Sequence, residues 1–133
     1  MPLIKIDLVR GKSDEEIEQI LNSIHQAVLI AFNVPKGDRY QIVTQHDENE
    51  MILLDTGLGF TRDTKNQIVI TVISRKRKTE AKTIFYKLIS KLLYNDCQIE
   101  PKNILISFVE NSDADWSFGF GEAQFITGKL DIS

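Results

Sequence analysis

Ile68-Val69-Ile70-Thr71-Val72-Ile73 repeats, in the second half of the chain, a pattern first met at Leu3-Ile4-Lys5-Ile6-Asp7-Leu8-Val9. Both runs carry β-branched and apolar residues at the period-2 spacing of a strand with a buried face. The segments after the two runs are alike as well. Ser13-Asp14-Glu15-Glu16 has the form of a helix capping box, and Ile17, Ile20, Leu21, Ile24, Val28 and Ala31 then recur at helical spacing. Val34-Pro35-Lys36-Gly37 ends that helix and Tyr40-Gln41-Ile42-Val43-Thr44 resumes as a strand. In the second half Thr79-Glu80 is the expected cap, and Ala81, Ile84, Phe85, Leu88 and Leu92 form the helical stripe. Glu100-Pro101-Lys102 then leads into Ile104-Leu105-Ile106-Ser107-Phe108. An offset of 66 relates Ile4 to Ile70, Ile6 to Val72, Ser13 to Thr79, Pro35 to Pro101 and Lys36 to Lys102. The pattern is a tandem β-α-β duplication.

Two strands joined by a helical crossover pair in parallel, with a right-handed connection. The expected fold is α+β, a four-stranded sheet with two long helices on one face. It is expected to form a single domain over 1–133, with units at about 2–58 and 67–124 and a C-terminal tail. The run Ile68 to Ile73 is apolar at nearly every position, as in strands buried on both faces, so oligomerisation is expected to cover the second face. Asp55-Thr56-Gly57-Leu58-Gly59-Phe60-Thr61 reads as a loop. Trp116-Ser117-Phe118-Gly119-Phe120-Gly121 reads as a hairpin or a pocket wall, and neither segment has the spacing of a phosphate loop.

Composition narrows the function classes. The 133 residues are 42% hydrophobic and 26% charged, ordinary values for a folded globular chain. A net charge of −3 gives no global attraction to a polyanion, so no nucleic-acid partner is expected. The single Cys97 cannot form an internal disulfide, and no apolar run approaches the ~20 residues of a membrane span. The expected location is the cytoplasm, without membrane contact and without a cleaved leader.

Few residues are equipped for chemistry. Pro2 precedes the first strand, a position proline tolerates because no ladder donor is needed there. If Met1 is removed, the same residue carries a secondary amine held rigidly by the strand. Arg75 and Arg77 in Ser74-Arg75-Lys76-Arg77-Lys78 would share a side if the strand ran that far, making a clamp for a carboxylate. The same run also reads as a solvated basic connector or as a nucleic-acid patch. Asp38, in Gly37-Asp38-Arg39-Tyr40, is either a turn residue or a carboxylate able to hold a water or favour the charged form of a nearby amine. His25 is expected to pack against its helix and His46 to sit at a solvated strand end. No cluster has metal spacing and no Gly-x-Ser-x-Gly motif occurs, so neither a metal nor any other cofactor is expected.

The strand-leading proline, the duplicated plan and the paired arginines together resemble the tautomerase superfamily, whose members use an amino-terminal proline as catalytic acid or base. Within it, Asp38-Arg39-Tyr40-Gln41, Asp55-Thr56-Gly57-Leu58-Gly59, Thr71-Val72-Ile73-Ser74-Arg75 and Val109 to Gly119 resemble the malonate semialdehyde decarboxylase branch along nearly the whole chain. The resemblance implies a homotrimer with Pro2, Asp38, Arg75 and Arg77 in the active site and an apolar wall of Trp116, Phe118, Phe125 and Leu130. It implies cofactor-independent decarboxylation of malonate semialdehyde or a similar short 3-oxo acid. Tautomerisation or hydration of 2-oxo acids or their enols stands as the alternative, and a binding module without activity as a third reading.

Overall fold

The computed structural model describes residues 2–55 and 57–130; Met1, Thr56 and 131–133 lie outside the described residues. Four strands alternate with two long helices: β1 (Leu3–Val9), α1 (Asp14–Phe32), β2 (Tyr40–His46), β3 (Ile68–Arg75), α2 (Thr79–Cys97) and β4 (Ile104–Asn111). A short α3 (Gln124–Thr127) follows a 3-10 turn at Asp113–Asp115. The strands order β2-β1-β3-β4 in one sheet. β1 and β2 run parallel, as do β3 and β4, whereas the two units meet through an antiparallel β1–β3 pair. This is the expected α+β architecture of two β-α-β units.

The inward residues of the central strands are Ile4, Ile6 and Leu8 on β1 and Ile68, Ile70 and Val72 on β3, all at most 2% exposed. They pack against Ile20, Ile24 and Val28 of α1 and Phe85, Ile89 and Leu93 of α2. Each such buried side chain stabilises the fold by roughly 1.5–3 kcal/mol relative to exposure. The opposite sheet face carries Leu3, Tyr40, Ile42, Ile73 and Val109 among polar residues, and the two long helices leave it open. β3 therefore alternates buried and half-buried residues.

The Ser13 capping box forms as expected: Glu16 N–H donates to Ser13 Oγ at 3.1 Å and Ser13 N–H donates to Glu16 Oε1 at 2.9 Å. The second cap departs from expectation. Lys78, not Thr79, is the N-cap of α2, with no side-chain hydrogen bond. The strand-to-helix connection is one residue shorter in the second unit, so the helices superpose at an offset of 65: Ile20, Ile24 and Val28 correspond to Phe85, Ile89 and Leu93. The buried stripe of α2 consequently shifts by a residue, leaving Ile84 47% exposed.

Candidate active site

Strand direction assembles the site. Because β3 runs antiparallel to β1, its C-terminal end lies beside the start of β1: Leu3 faces Ile73, and continuing that register by one residue sets Pro2 opposite Ser74. Because β2 runs parallel to β1, its first residue Tyr40 also pairs with Leu3, which delivers the preceding turn to the same end. In that turn Asp38 N–H donates to Pro35 O at 2.9 Å. His25 Nε2 of α1 donates to Lys36 O at 3.0 Å, bracing the connection from inside. Pro2, Asp38, Arg75 and Arg77 thus gather at one end of the sheet, with Pro2 and Asp38 both buried.

The two arginines do not share a strand face. β3 ends at Arg75, so the period-2 alternation stops before Arg77, and the two side chains take different routes. Arg75 places its guanidinium 3.8 Å from the ring centroid of Phe125 and donates from Nη1 to Asp113 Oδ1 at 2.8 Å. Arg77 crosses the ring of Phe32 at 5.2 Å and donates from Nε to Ser74 Oγ at 3.0 Å. Its main-chain N–H donates to Glu110 Oε2 at 3.0 Å. The Arg77 Nη2 atom is buried, with no hydrogen-bond partner among the described residues. Burial holds the Arg77 guanidinium below its ordinary value, the Arg75 charge pushes the same way, and the Asp38 carboxylate pulls it back. Arg77 is thus within electrostatic reach of both Arg75 and Asp38.

An aromatic cluster lies beside the arginines. Trp116 stacks on Phe118 with centroids 5.3 Å apart, Phe118 meets Phe125 edge-on at 5.4 Å, and Tyr40 leans on Phe118 at 5.6 Å. Trp116 Nε1 donates to Asn111 Oδ1 at 2.7 Å, which ties the cluster to the end of β4. The aromatic tail is therefore a wall built from a 3-10 turn and a short helix, and no hairpin forms there among the described residues. Leu130 is half-buried and its N–H returns to Gln124 O at 3.1 Å, which keeps it against α3.

An open cleft of about 630 Å³ is lined by Arg75, Lys76, Arg77, Asn111, Asp113 and Ile126 among others. Pro2 and Asp38 do not line it. Ser74, Asp113, Phe32 and Tyr40 all contact members of the set, and the sequence reading named none of them as site residues. For Asp113, Phe32 and Tyr40 the signal lies in long-range pairing, which local periodicity does not carry, whereas Ser74 acts on its own neighbours where the strand ends. His46, expected at a solvated strand end, is half-buried and sits 2.7 Å from Asp7 Oδ1. Among the described residues no group of three or more His, Cys, Asp or Glu is placed to hold a metal ion, and no helix is long and apolar enough to cross a membrane.

Residues 38–119 match one family profile described as "Tautomerase enzyme", and residues 2–61 match a second with the same description. A Bacillus subtilis (strain 168) protein named probable tautomerase YrdN is 50% identical over 130 residues, covering 98% of this chain and all of its own length. A malonate semialdehyde decarboxylase whose crystal structures are described with decarboxylase and hydratase activities is 50% identical, with a TM-score of 0.92 over 97% of this chain and 99% of its own. A second malonate semialdehyde decarboxylase, inhibited by 3-bromopropiolate, is 36% identical with the same TM-score over 98% of this chain and 99% of its own. A fused 4-OT described as a symmetric trimer shares the fold at 12% identity and a TM-score of 0.76, over 95% of this chain and 98% of its own.

Proposed function

From the premise that the chain belongs to the tautomerase enzyme family, we propose that it decarboxylates malonate semialdehyde or a similar short 3-oxo acid. The observation that carries this reading is the gathering of Arg75, Arg77 and the buried Asp38 at the sheet end where Pro2 leads into β1. Excision of Met1 converts the Pro2 nitrogen from an amide into a secondary amine. A free α-amine titrates near pH 7.7–8.0, at about the reference value, so at neutral pH it is mostly charged, and the Asp38 carboxylate strengthens that bias.

In this mechanism the arginines receive the substrate carboxylate while the Pro2 ammonium, with Asp38 directly or through a water, polarises the β-carbonyl. Electrons released by C–C cleavage flow into that carbonyl, and the fixed positive charge stabilises the enolate as it forms. Trp116, Phe118, Phe125 and Leu130 give the departing group an apolar neighbour, which favours neutral CO₂ over a carboxylate. An iminium between Pro2 and the aldehyde is a second route to the same electron sink. No cofactor takes part. The working unit is a cytoplasmic homotrimer, in line with the uncovered sheet face.

The name of the Bacillus relative favours tautomerisation, and the hydratase activity described for one structural neighbour favours hydration, so the second reading is tautomerisation or hydration of 2-oxo acids or enols. Tautomerisation needs a neutral Pro2, which the two adjacent guanidiniums promote by disfavouring a third positive charge. Intact mass of the untagged protein, then CO₂ release from malonate semialdehyde across pH, separates the readings. Loss of Met1, activity that falls as pH rises through the amine titration, and collapse in Pro2→Ala and Arg75→Ala support the decarboxylase. Activity that rises through the same range, on an enol substrate, supports the tautomerase. A retained Met1 with no turnover overturns both.

A further inference from the structure

The inward stripe of β3 reads Ile68, Ile70, Val72, Ser74: three buried apolar residues and then a hydroxyl that is 0% exposed. In the first unit the strand position equivalent to Ser74 is Leu8, 1% exposed, where the duplicated plan keeps an apolar side chain. A hydroxyl at a core position costs stability unless both its donor and acceptor capacity are used. Here both are. Ser74 Oγ donates to Arg75 O at 2.8 Å and accepts from Arg77 Nε at 3.0 Å.

We propose that Ser74 is a positioning residue for Arg77. With Nε engaged by Ser74 and the guanidinium plane resting over Phe32, rotation of the guanidinium is restricted and its buried Nη2 is held as an open donor. The bond from Ser74 Oγ to Arg75 O fixes the main chain where the strand gives way to the loop that carries Arg77. A long, flexible arginine loses much of its rotamer freedom on binding a carboxylate, and a side chain aimed beforehand loses less. This role rests on the reading that Arg77 receives a carboxylate.

The test uses propionate, a non-reacting short carboxylate, titrated against the fluorescence of Trp116, the chain's single tryptophan, which connects to Arg75 through Phe118 and Phe125. Ser74→Ala is expected to weaken propionate binding roughly tenfold, the scale of one charge-assisted hydrogen bond. KM for malonate semialdehyde is expected to rise by a similar factor while kcat changes far less. The Arg77 Nε–H resonance is expected to be observable in the native protein, where the bond to Ser74 slows its exchange, and to disappear in the variant. In an Arg77→Met background Ser74→Ala is expected to change nothing further, because its effect passes through Arg77. Equal losses in both backgrounds would show a merely structural serine and overturn the proposal, as would unchanged propionate affinity in Ser74→Ala. A chain that turns over no 3-oxo acid yet loses propionate affinity with Ser74→Ala refutes the decarboxylase reading and retains the positioning role. Turnover indifferent to Ser74→Ala does the reverse, and failure of the native protein to bind propionate at all overturns both.

Discussion

Arg75 and Arg77 stand two positions apart in sequence, yet they meet different surroundings. Arg75 is held between an aromatic face and the Asp113 carboxylate at the cleft rim, whereas Arg77 is threaded past Phe32 and bonded to a buried hydroxyl. The pair was legible as a clamp from residue type alone. Its geometry was not, because it depends on where β3 stops and on side chains tens of residues away. A third arginine shows the same dependence. Arg62 makes a two-pronged bond to Asp55, Nε to Oδ2 at 2.7 Å and Nη2 to Oδ1 at 3.0 Å, and Nη1 reaches Lys102 O at 3.1 Å. That pairing closes the glycine-containing loop between them. The hydrogen bonds from Arg62 hold the Asp55 carboxyl below its ordinary value. A carboxylate depressed in the folded state stabilises the protein fully above its unfolded pKa of about 3.9 and loses that contribution as pH falls through the folded value. Asp55→Asn is therefore expected to lower Tm at pH 7, and the Tm curves of the two proteins are expected to converge in acid. Coincident curves at pH 7 would show that the pair contributes nothing to stability.

At the level of elements, the two helices differ mainly in how they begin. The capping box of α1 was readable because all its parts are local: a hydroxyl, a glutamate three residues on, and an apolar run behind them. Thr79 misled because the second connection is one residue shorter, which places Lys78 at the cap. That deletion is invisible when the two halves are aligned on their first strands and prolines, which do keep the 66 spacing. The same slip moves the buried stripe of α2 onto Phe85, Ile89 and Leu93, where Phe85 packs between Phe32 and Phe108 at centroid distances of 5.2 and 5.7 Å. The caps themselves have nearly the same backbone, φ −71° and ψ 165° at Ser13 against φ −69° and ψ 148° at Lys78. Lys78→Ser should therefore supply α2 with the acceptor it lacks and stabilise the protein, while Ser13→Ala should destabilise it, each by about 1 kcal/mol. Urea midpoints with unchanged m-values check both. A destabilised Lys78→Ser would mean that the lysine stem contributes more by packing than a cap contributes by hydrogen bonding.

Across the whole molecule, the property least legible in the sequence is the direction in which the two units face each other. A β-α-β pattern sets parallel pairing within each unit and leaves the pairing between them open. The antiparallel β1–β3 seam is what brings Pro2 alongside the end of β3, and nothing local encodes it. Resemblance supplied the aromatic wall for the same reason, since Phe125 meets Arg75, and Phe118 and Trp116 stack behind it, only through tertiary packing. The seam also leaves a continuous sheet face on which Leu3, Ile73, Tyr40, Ile42 and Val109 lie with both helices behind them. Ile42 and Val109 are each 51% exposed, a large apolar area for one chain to leave in water. If three copies cover that face in one another, a charge placed there has to be buried unpaired, at a cost of several kcal/mol per copy. Ile42→Glu is then expected to reduce the molar mass seen by light scattering from three chains to one. The helical face is untouched, so the far-ultraviolet circular dichroism of the monomer should remain native-like. A trimer that survives the substitution would place the contact elsewhere on the molecule, and a native monomer of the unmodified chain would overturn the oligomer outright.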